Sequence, residues 1–403
     1  MKKLLYFFVP LIFFATPFES VAIIPGVSVV KLVTVLFLLI ALLYYKSIPL
    51  PRNRFLLLFF IYTVFTILST AWSIDKTNTL QYSLGTILPS FVVVLYLYHS
   101  IRDKSDIDRV FNAYAWGSTI VSLIALYMFA TGFRFANTTD EARLTVLGQD
   151  QNELSFLLSW GIVSVIYLLR YTQINNSKKI IHIVQMLLLA FTILSTGSRT
   201  GFVILLAIVF IFLTLYTKKG RIIYITPLLV AAIFLLFNYL PESISSRLFE
   251  TTEQIQAGDL TGRGLIWQLG FSAFQSEGAW IQGTGFKLFR TLMDIHYGWP
   301  KAPHNTYFVT LIELGIIGLS LYFLMIWELI KKAFFLYRKE SIYFSLLIIP
   351  ILLAMMTLGT ETRRWLFLLG IYISPQKNRA VKNKSYFYNC YGKEKEYYIE
   401  NQG

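Results

Sequence analysis

The sequence predicts an all-α, polytopic membrane protein of about twelve transmembrane helices, and three observations predict it. Hydrophobic residues make up 56% of the chain and charged residues only 14%, with a mean hydropathy of +0.59. That balance lies outside the range of soluble domains. Apolar runs of about 20 residues, the length that crosses a bilayer core, recur along most of the chain. The runs are continuous rather than alternating, so their peptide groups are satisfied within helices and not in a barrel.

Taken in order, the spans fall near 4–24, 29–45, 55–73, 80–99, 110–130, 152–170, 180–196, 201–217, 222–240, 305–330, 341–359 and 363–375. The start, Met1-Lys2-Lys3 ahead of an apolar run with Ser20-Val21-Ala22 after it, imitates a secretory leader. With so many spans following, the expectation is an uncleaved first helix. Basic residues then set the orientation. With the N-terminus inside, the cytoplasmic connections hold Lys46, Arg52 and Arg54; Arg102, Lys104 and Arg109; Arg170, Lys178 and Lys179. Lys218, Lys219 and Arg221, then Lys331, Lys332, Arg338 and Lys339, continue the series, and the basic tail with Lys377, Arg379, Lys382 and Lys384 falls on the same side. The short outer connections are poorer in Lys and Arg. The expected topology is therefore N-in and C-in. It comprises one membrane domain over 1–375, including an outer loop 241–303 between helices nine and ten, and a cytoplasmic tail over 376–403. This dispersal also explains the net charge of +14 without a nucleic-acid partner. A single cysteine, Cys390, excludes an intrachain disulfide framework and a Cys-rich metal site.

The long outer loop carries a helical pattern of its own. In GRGLIWQLGFSAF the residues Leu265, Ile266, Leu269, Ala273 and Phe274 fall on one face at helical spacing. A helix lying on the membrane surface or capping a cavity has this form.

Chemistry-bearing residues gather on the outer side. In STGSRTG, 195–201, Gly197 ends one helix, Ser198 caps the next and Arg199 falls in its first turn. An arginine at mid-bilayer costs about 2.5–3.5 kcal/mol even on permissive scales, so Arg199 belongs at the interface or in an aqueous cavity. Arginine grips phosphate bidentately, and a helix N-terminus beside it favours an anion. The plainer alternative is an arginine snorkelling to lipid headgroups. In TGRGLIW, 261–267, Arg263 lies between two glycines that permit close approach of a ligand, although an ordinary loop arginine has the same look. GTGF at 283–286 reads as a further flexible element. His304 follows Pro303 at the start of span ten, where a neutral imidazole can take a proton from a hydroxyl near pH 7. Asn305 can orient a sugar by hydrogen bonding. Glu313, about two and a half turns deeper, is an ionisable group within a span and so a functional candidate; a structural partner for an arginine or a backbone group is the other reading.

Other signals point away from known chemistries. Asp106-Ile107-Asp108 imitates a nucleotide-sugar transferase motif but reads as helix-start carboxylates on a short connection. Asp140-Glu141 lacks supporting metal ligands. His99, His182, His296 and His304 show no metal-ligand spacing. Walker, dinucleotide and nucleophile-elbow motifs are absent from the sequence.

The set GQDQNELS (148–155), STGSRTG, GRGLIW (262–267), GTGF and HNTYFVTLIELGIIGL (304–319) resembles the bacterial O-antigen ligase and polysaccharide polymerase superfamily, best over about 148–330. The resemblance implies a multi-helix, GT-C-like, metal-independent glycosyltransferase at the outer face of the inner membrane, with no cofactor. It implies an undecaprenyl-pyrophosphate-linked oligosaccharide as donor, an acceptor glycan or glycolipid and membrane lipid as partners, and a chain-length regulator as a further one. It also implies that Arg199 and Arg263 hold the donor pyrophosphate and that His304 serves the acceptor hydroxyl. Asn152, Ser198, Asn305 and Glu313 are the expected substrate-binding residues. A long charged loop without an obvious cluster for a glycolipid core favours a polymerase over a ligase. A transporter is the reading from another class; it would place polar sites near mid-membrane in two related halves. A non-catalytic assembly protein would tolerate His304→Ala and Arg263→Ala.

Overall fold

The computed structural model describes residues 1–19, 21–24, 27–45, 53–101, 104–132, 150–216, 263–331, 348, 350–356 and 358. Its helices are α1 (Lys2–Ala15), α2 (Val29–Tyr44), α3 (Arg54–Leu68), α4 (Lys76–Tyr82), α5 (Leu88–Ser100), α6 (Lys104–Thr131), α7 (Gln151–Tyr171), α8 (Asn176–Ser195) and α9 (Arg199–Tyr216). α10 (Arg263–Glu277), α11 (Phe289–Tyr297) and α12 (Thr306–Lys331) follow. One antiparallel ribbon, β1 (Ala22–Ile24) with β2 (Val27–Ser28), joins α1 to α2. Among the described residues six stretches are long and apolar enough to cross a membrane: Arg54–Ala71, Lys76–Ser100, Ser105–Thr131, Gln151–Tyr171, Asn176–Ser195 and Thr306–Lys331. The protein is an all-α polytopic membrane protein. The expected spans 222–240 and 363–375, most of 341–359, and the tail 376–403 lie outside the described residues.

Two spans differ from expectation in their limits. The first was expected over 4–24, but its helix stops at Ala15. Thr16 Oγ1 bonds back to Ile12 O at 2.8 Å, Pro17 opens a single 3-10 turn, and the chain then forms the ribbon. The fourth was expected from residue 80. Asp75 caps it earlier, accepting from Asn78 N at 3.0 Å, and α4 passes into α5 through a π turn, Ser83–Ile87. Pro89 supplies the reason for that turn, because it has no N–H to continue the α ladder.

α7 is the central pillar: every residue from 153 to 168 is buried, against α6, α8 and α9. Small residues set these close crossings. A Cβ at Gly161 would lie 2.6 Å from Ser118 Cβ, and one at Gly201 would lie 2.5 Å from Ser155 Cβ. α1 packs on α6 and α3 on α12.

α12 is broken. Gly315 has φ 63° and ψ −166°, outside the helical region. The two helical bonds that would bridge the break, Ile316 N to Ile312 O and Ile317 N to Glu313 O, are replaced by bonds to the segment 280–285. Ile316 N donates to Trp280 O (3.0 Å) and Ile317 N to Ile281 O (3.3 Å). In return Ile312 O accepts from Thr284 N (3.0 Å) and Glu313 O from Gly285 N (2.9 Å). The connection between α3 and α4 holds the other edge of the segment: Trp72 Nε1 donates to Gln282 O (3.0 Å) and Ile74 N to Thr284 O (3.0 Å). Backbone polar groups freed within an apolar span must be satisfied inside the protein, and here they are. GTGF is therefore a fixed splint and not the flexible element its glycines suggested.

α10 and α11 form a small second core over this splint. Ala273, Phe274, Ala279, Phe289, Leu292, Met293 and Ile312 are buried together. The helical pattern expected after Gly262 is present as α10, with one correction. Leu265 is 52% exposed, and the buried face runs through Gly270, Ala273 and Phe274, where Phe289 packs within 2.6 Å of the position of a Gly270 Cβ.

The splint predicts strict demands at two glycines. At Gly315 the backbone lies where essentially only glycine resides, at a cost to other residues of about 1–3 kcal/mol, and a Cβ would run into Ile281 O. At Gly283 a Cβ would run into Glu313 O. Thermal unfolding of the purified protein should show Gly315→Ala and Gly283→Ala clearly destabilised and Gly85→Ala, with open space around it, unchanged. Equal stability of all three would refute the splint.

Candidate functional site

The site is built where helix starts converge on one end of the bundle. Asp150 caps α7, its Oδ1 accepting from Asn152 N (2.9 Å) and Glu153 N (3.1 Å). Ser198 caps α9, accepting from Gly201 N at 3.1 Å, after Gly197 has closed α8 at φ 61°. The two caps are tied together, because Ser198 Oγ donates to Asn152 Oδ1 at 2.7 Å. Asn152 and Ser198, both expected to bind substrate, thus form one part-buried brace between helix starts. Arg199 is the first residue of α9, half-buried beside that brace, as its position predicted.

Arg263 is the first residue of α10 and is half-buried. Burial lowers its guanidinium below the ordinary value; Asp150 opposes that shift and the nearby positive Arg199 adds to it. An arginine keeps its charge under such a shift. These electrostatic contacts bring the starts of α7, α9 and α10 into one neighbourhood. Thr261 and Gly262, which precede Arg263, lie outside the described residues.

His304 is placed differently from expectation. It was read as the start of span ten, with Pro303 opening the helix. α12 starts at Thr306, and its cap is Asn305, whose Oδ1 accepts from Phe308 N (3.0 Å) and whose carbonyl accepts from Val309 N (3.0 Å). Asn305 uses its side-chain oxygen as a helix cap, a role sequence reading did not give it. His304 stands one residue before the cap with φ 49°, in the left-handed region. That conformation costs a residue with a Cβ about 1–2 kcal/mol, and His304 is exposed. Trp267 Nε1 on α10 donates to Pro303 O at 2.8 Å, pinning the 298–305 segment to the helix that Arg263 begins.

A cavity of about 530 Å3 lies at this junction, lined by Arg263, Ile266, Arg290, Pro300, Lys301, Ala302 and His304. The volume suits a ligand of several rings. Arg263 and His304, 41 positions apart by their numbers, therefore face one space. Arg290 and Lys301 were missed. Neither sits in a motif, and only the folding of α11 and the 298–305 segment around the cavity reveals them. Among the described residues no group of three or more His, Cys, Asp or Glu side chains has the arrangement of a metal site.

Glu313 is buried away from this cavity. Its Oε2 accepts from Lys287 N (2.7 Å) and its Oε1 from Phe289 N (3.0 Å), so its carboxylate organises the start of α11. Of its two readings, the backbone partner is the one the geometry displays. Asp106 and Asp108 are likewise structural: Asp106 lies in the first turn of α6, 4.0 Å from Arg109, and Asp108 accepts from Tyr167 at 2.7 Å. Asp140 and Glu141 lie outside the described residues. His182 Nδ1 pairs with Gln185 Oε1 at 2.8 Å within α8, and His296 Nε2 with Glu277 Oε1 at 2.8 Å across α11 and α10.

Residues 184–323 match the family model described as O-antigen ligase. The match supports the O-antigen ligase and polymerase superfamily that the motifs resemble, and it covers the second part of α8, all of α9, α10 and α11, and the α12 break. None of the curated proteins matches the chain.

The backbone at His304 predicts a separation of stability from function. Glycine relieves the left-handed strain, so His304→Gly should unfold no earlier than the parent in a thermal melt. Asn305→Ala should lose about 1 kcal/mol through the missing cap. A His304→Gly protein that melts well below the parent would contradict the strained geometry.

Proposed function

We propose that the protein is a polysaccharide polymerase that transfers an undecaprenyl-pyrophosphate-linked glycan to the hydroxyl of an acceptor sugar at the outer face of the inner membrane. The observation that carries the proposal is the shared cavity of Arg263 and His304 beside Arg199. It supplies cations for a leaving pyrophosphate and an imidazole for an attacking hydroxyl in one place. The expected N-in, C-in orientation puts this end of the bundle outside.

The reaction is a displacement at the anomeric carbon of the donor. The acceptor oxygen forms the new bond to that carbon while His304 takes the hydroxyl proton at a ring nitrogen. The bond from the anomeric carbon to the pyrophosphate oxygen breaks, and its electron pair leaves with undecaprenyl pyrophosphate. Arg199 and Arg263 stabilise the charge that grows there; a preorganised donor of this kind is worth about 10²–10³ in rate. The proton on His304 passes to solvent or to the departing phosphate, restoring the imidazole. Asn152 and Ser198 act through Arg199, by fixing the helix start that carries it. Glu313 positions the loop and does not touch substrate. α10 and α11 roof the cavity and limit water, which would otherwise hydrolyse the donor.

The alternative product is a glycan ligated to lipid A-core, and the same residues would serve it. Transport fits less well, because the candidate groups gather at one end rather than near mid-membrane.

The test expresses the protein in two cell backgrounds that make a cognate repeat unit, one lacking its polymerase and the other its ligase. Gel profiling of the glycan should display a ladder of chain lengths restored in the first. Arg263→Ala and His304→Ala at matched membrane levels should each lose at least 100-fold of that product. Glycan attachment restored only in the second background would make the protein a ligase. Variants as active as the parent would overturn the catalytic assignment.

A further inference from the structure

Two cations in the cavity have no part in the reaction just described. Arg290, the second residue of α11, and Lys301, in the 298–305 segment, line the same space as Arg263 and His304. Among the described residues no carboxylate lines it. Among the described residues none of Arg263, Arg290 and Lys301 forms an ion pair within 4 Å, and Lys301 instead lies 5.9 Å from the centre of the Trp299 ring. Three like charges around one cavity repel each other, with the field focused by the low-dielectric walls. Such an arrangement is suited to a bound anion, and it carries more positive charge than the donor pair alone needs.

The geometry divides the cations into two groups. Arg263 feels the charges of Asp150 at the α7 start and of Arg199 at the α9 start. Arg290 enters the cavity elsewhere. It follows Phe289, which packs on Gly270, seven residues and about 10 Å along α10 from Arg263. Lys301 is three residues from His304 on the same non-helical segment. A base that removes the acceptor proton must touch the acceptor, so Lys301, on the same segment as that base, stands on the acceptor's side of the cavity.

We propose that Arg290 and Lys301 form a second anion subsite, which selects an acceptor carrying phosphate groups of its own. The subsite rests on the transfer reading above for its meaning, but its existence is testable without it. Arg290 presents a fork for two phosphate oxygens and Lys301 a mobile point charge. The two positions missed by motif reading would then decide which acceptors enter. A pyrophosphate-linked lipid and a glycolipid bearing phosphate monoesters share this chemistry.

The first measurement is calorimetric titration of inorganic pyrophosphate into the full-length protein in lipid nanodiscs. The parent should bind at two sites. Arg199→Gln should remove one, and the paired change Arg290→Gln with Lys301→Gln should remove the other. A single site in the parent, or two sites retained in the paired variant, would overturn the proposal whether or not transfer is observed. The second measurement compares initial rates with acceptors of one glycan on one lipid, joined through pyrophosphate or through an uncharged ether. A third acceptor carries phosphate monoesters on its sugars. The parent should prefer a phosphate-bearing acceptor about tenfold in kcat/KM, and the paired variant should lose that preference while the donor KM stays within twofold. Whichever charged acceptor shows the effect identifies the source of the phosphate. A paired variant that keeps the preference, or that changes donor KM instead, contradicts the assignment.

Discussion

One end of the helix bundle depends on a break in one helix. At Gly315 the α12 ladder is interrupted, leaving two N–H and two C=O groups that lipid cannot satisfy. The segment 280–285 supplies all four partners, and it is itself held on its other edge by Trp72 and Ile74. Each unsatisfied group would cost about 1–3 kcal/mol, so the helix and the loop are conformationally obligatory to one another. A loop that would otherwise drift over the membrane is thereby anchored at backbone level to a transmembrane helix.

The site follows from that anchor. On the splint's C-terminal side, Glu313 accepts two backbone N–H groups and sets where α11 begins, which sets where Arg290 stands. On its N-terminal side α10 packs through Gly270 and Phe274 and carries Arg263 back towards the α7 and α9 starts. Trp267 then fastens the segment that ends at His304. The strained φ of His304 is a local cost that these fixed neighbours sustain, and strain of this kind collects at functional sites. Arg199 and Arg263 thus begin helices, and His304 lies on a short segment held by Trp267 and by the Asn305 cap, as precise positioning requires.

The sequence made the helices legible because about 20 apolar residues in a row have few other solutions. Arg199 was legible for a similar reason: Gly197, Ser198 and Arg199 each have a local role at a helix junction. The break in α12 was not legible. The stretch 313–318, ELGIIG, reads as uninterrupted apolar helix, and its partner lies some thirty residues upstream. The same distance hid the purpose of Glu313, whose partners are backbone groups without any sequence signature. Arg290 and Lys301 look like ordinary surface cations until the fold puts them around one cavity. Leu265 shows the limit of periodicity at an element's edge, where one residue off the stripe is exposed. The first span was overdrawn because its hydropathy continues past Thr16 and Pro17, which end the helix by local chemistry.

The central claim is that chain segments distant in sequence meet to hold one diphosphate opposite His304. The most direct test is cryo-electron microscopy of the full-length protein in nanodiscs with undecaprenyl pyrophosphate. The account predicts diphosphate density within about 3–4 Å of both Arg199 and Arg263 guanidinium groups, with its lipid tail leaving towards the bilayer and His304 facing the vacant sugar position. Diphosphate bound elsewhere on the protein, with Arg199 and Arg263 turned to lipid headgroups, would contradict it.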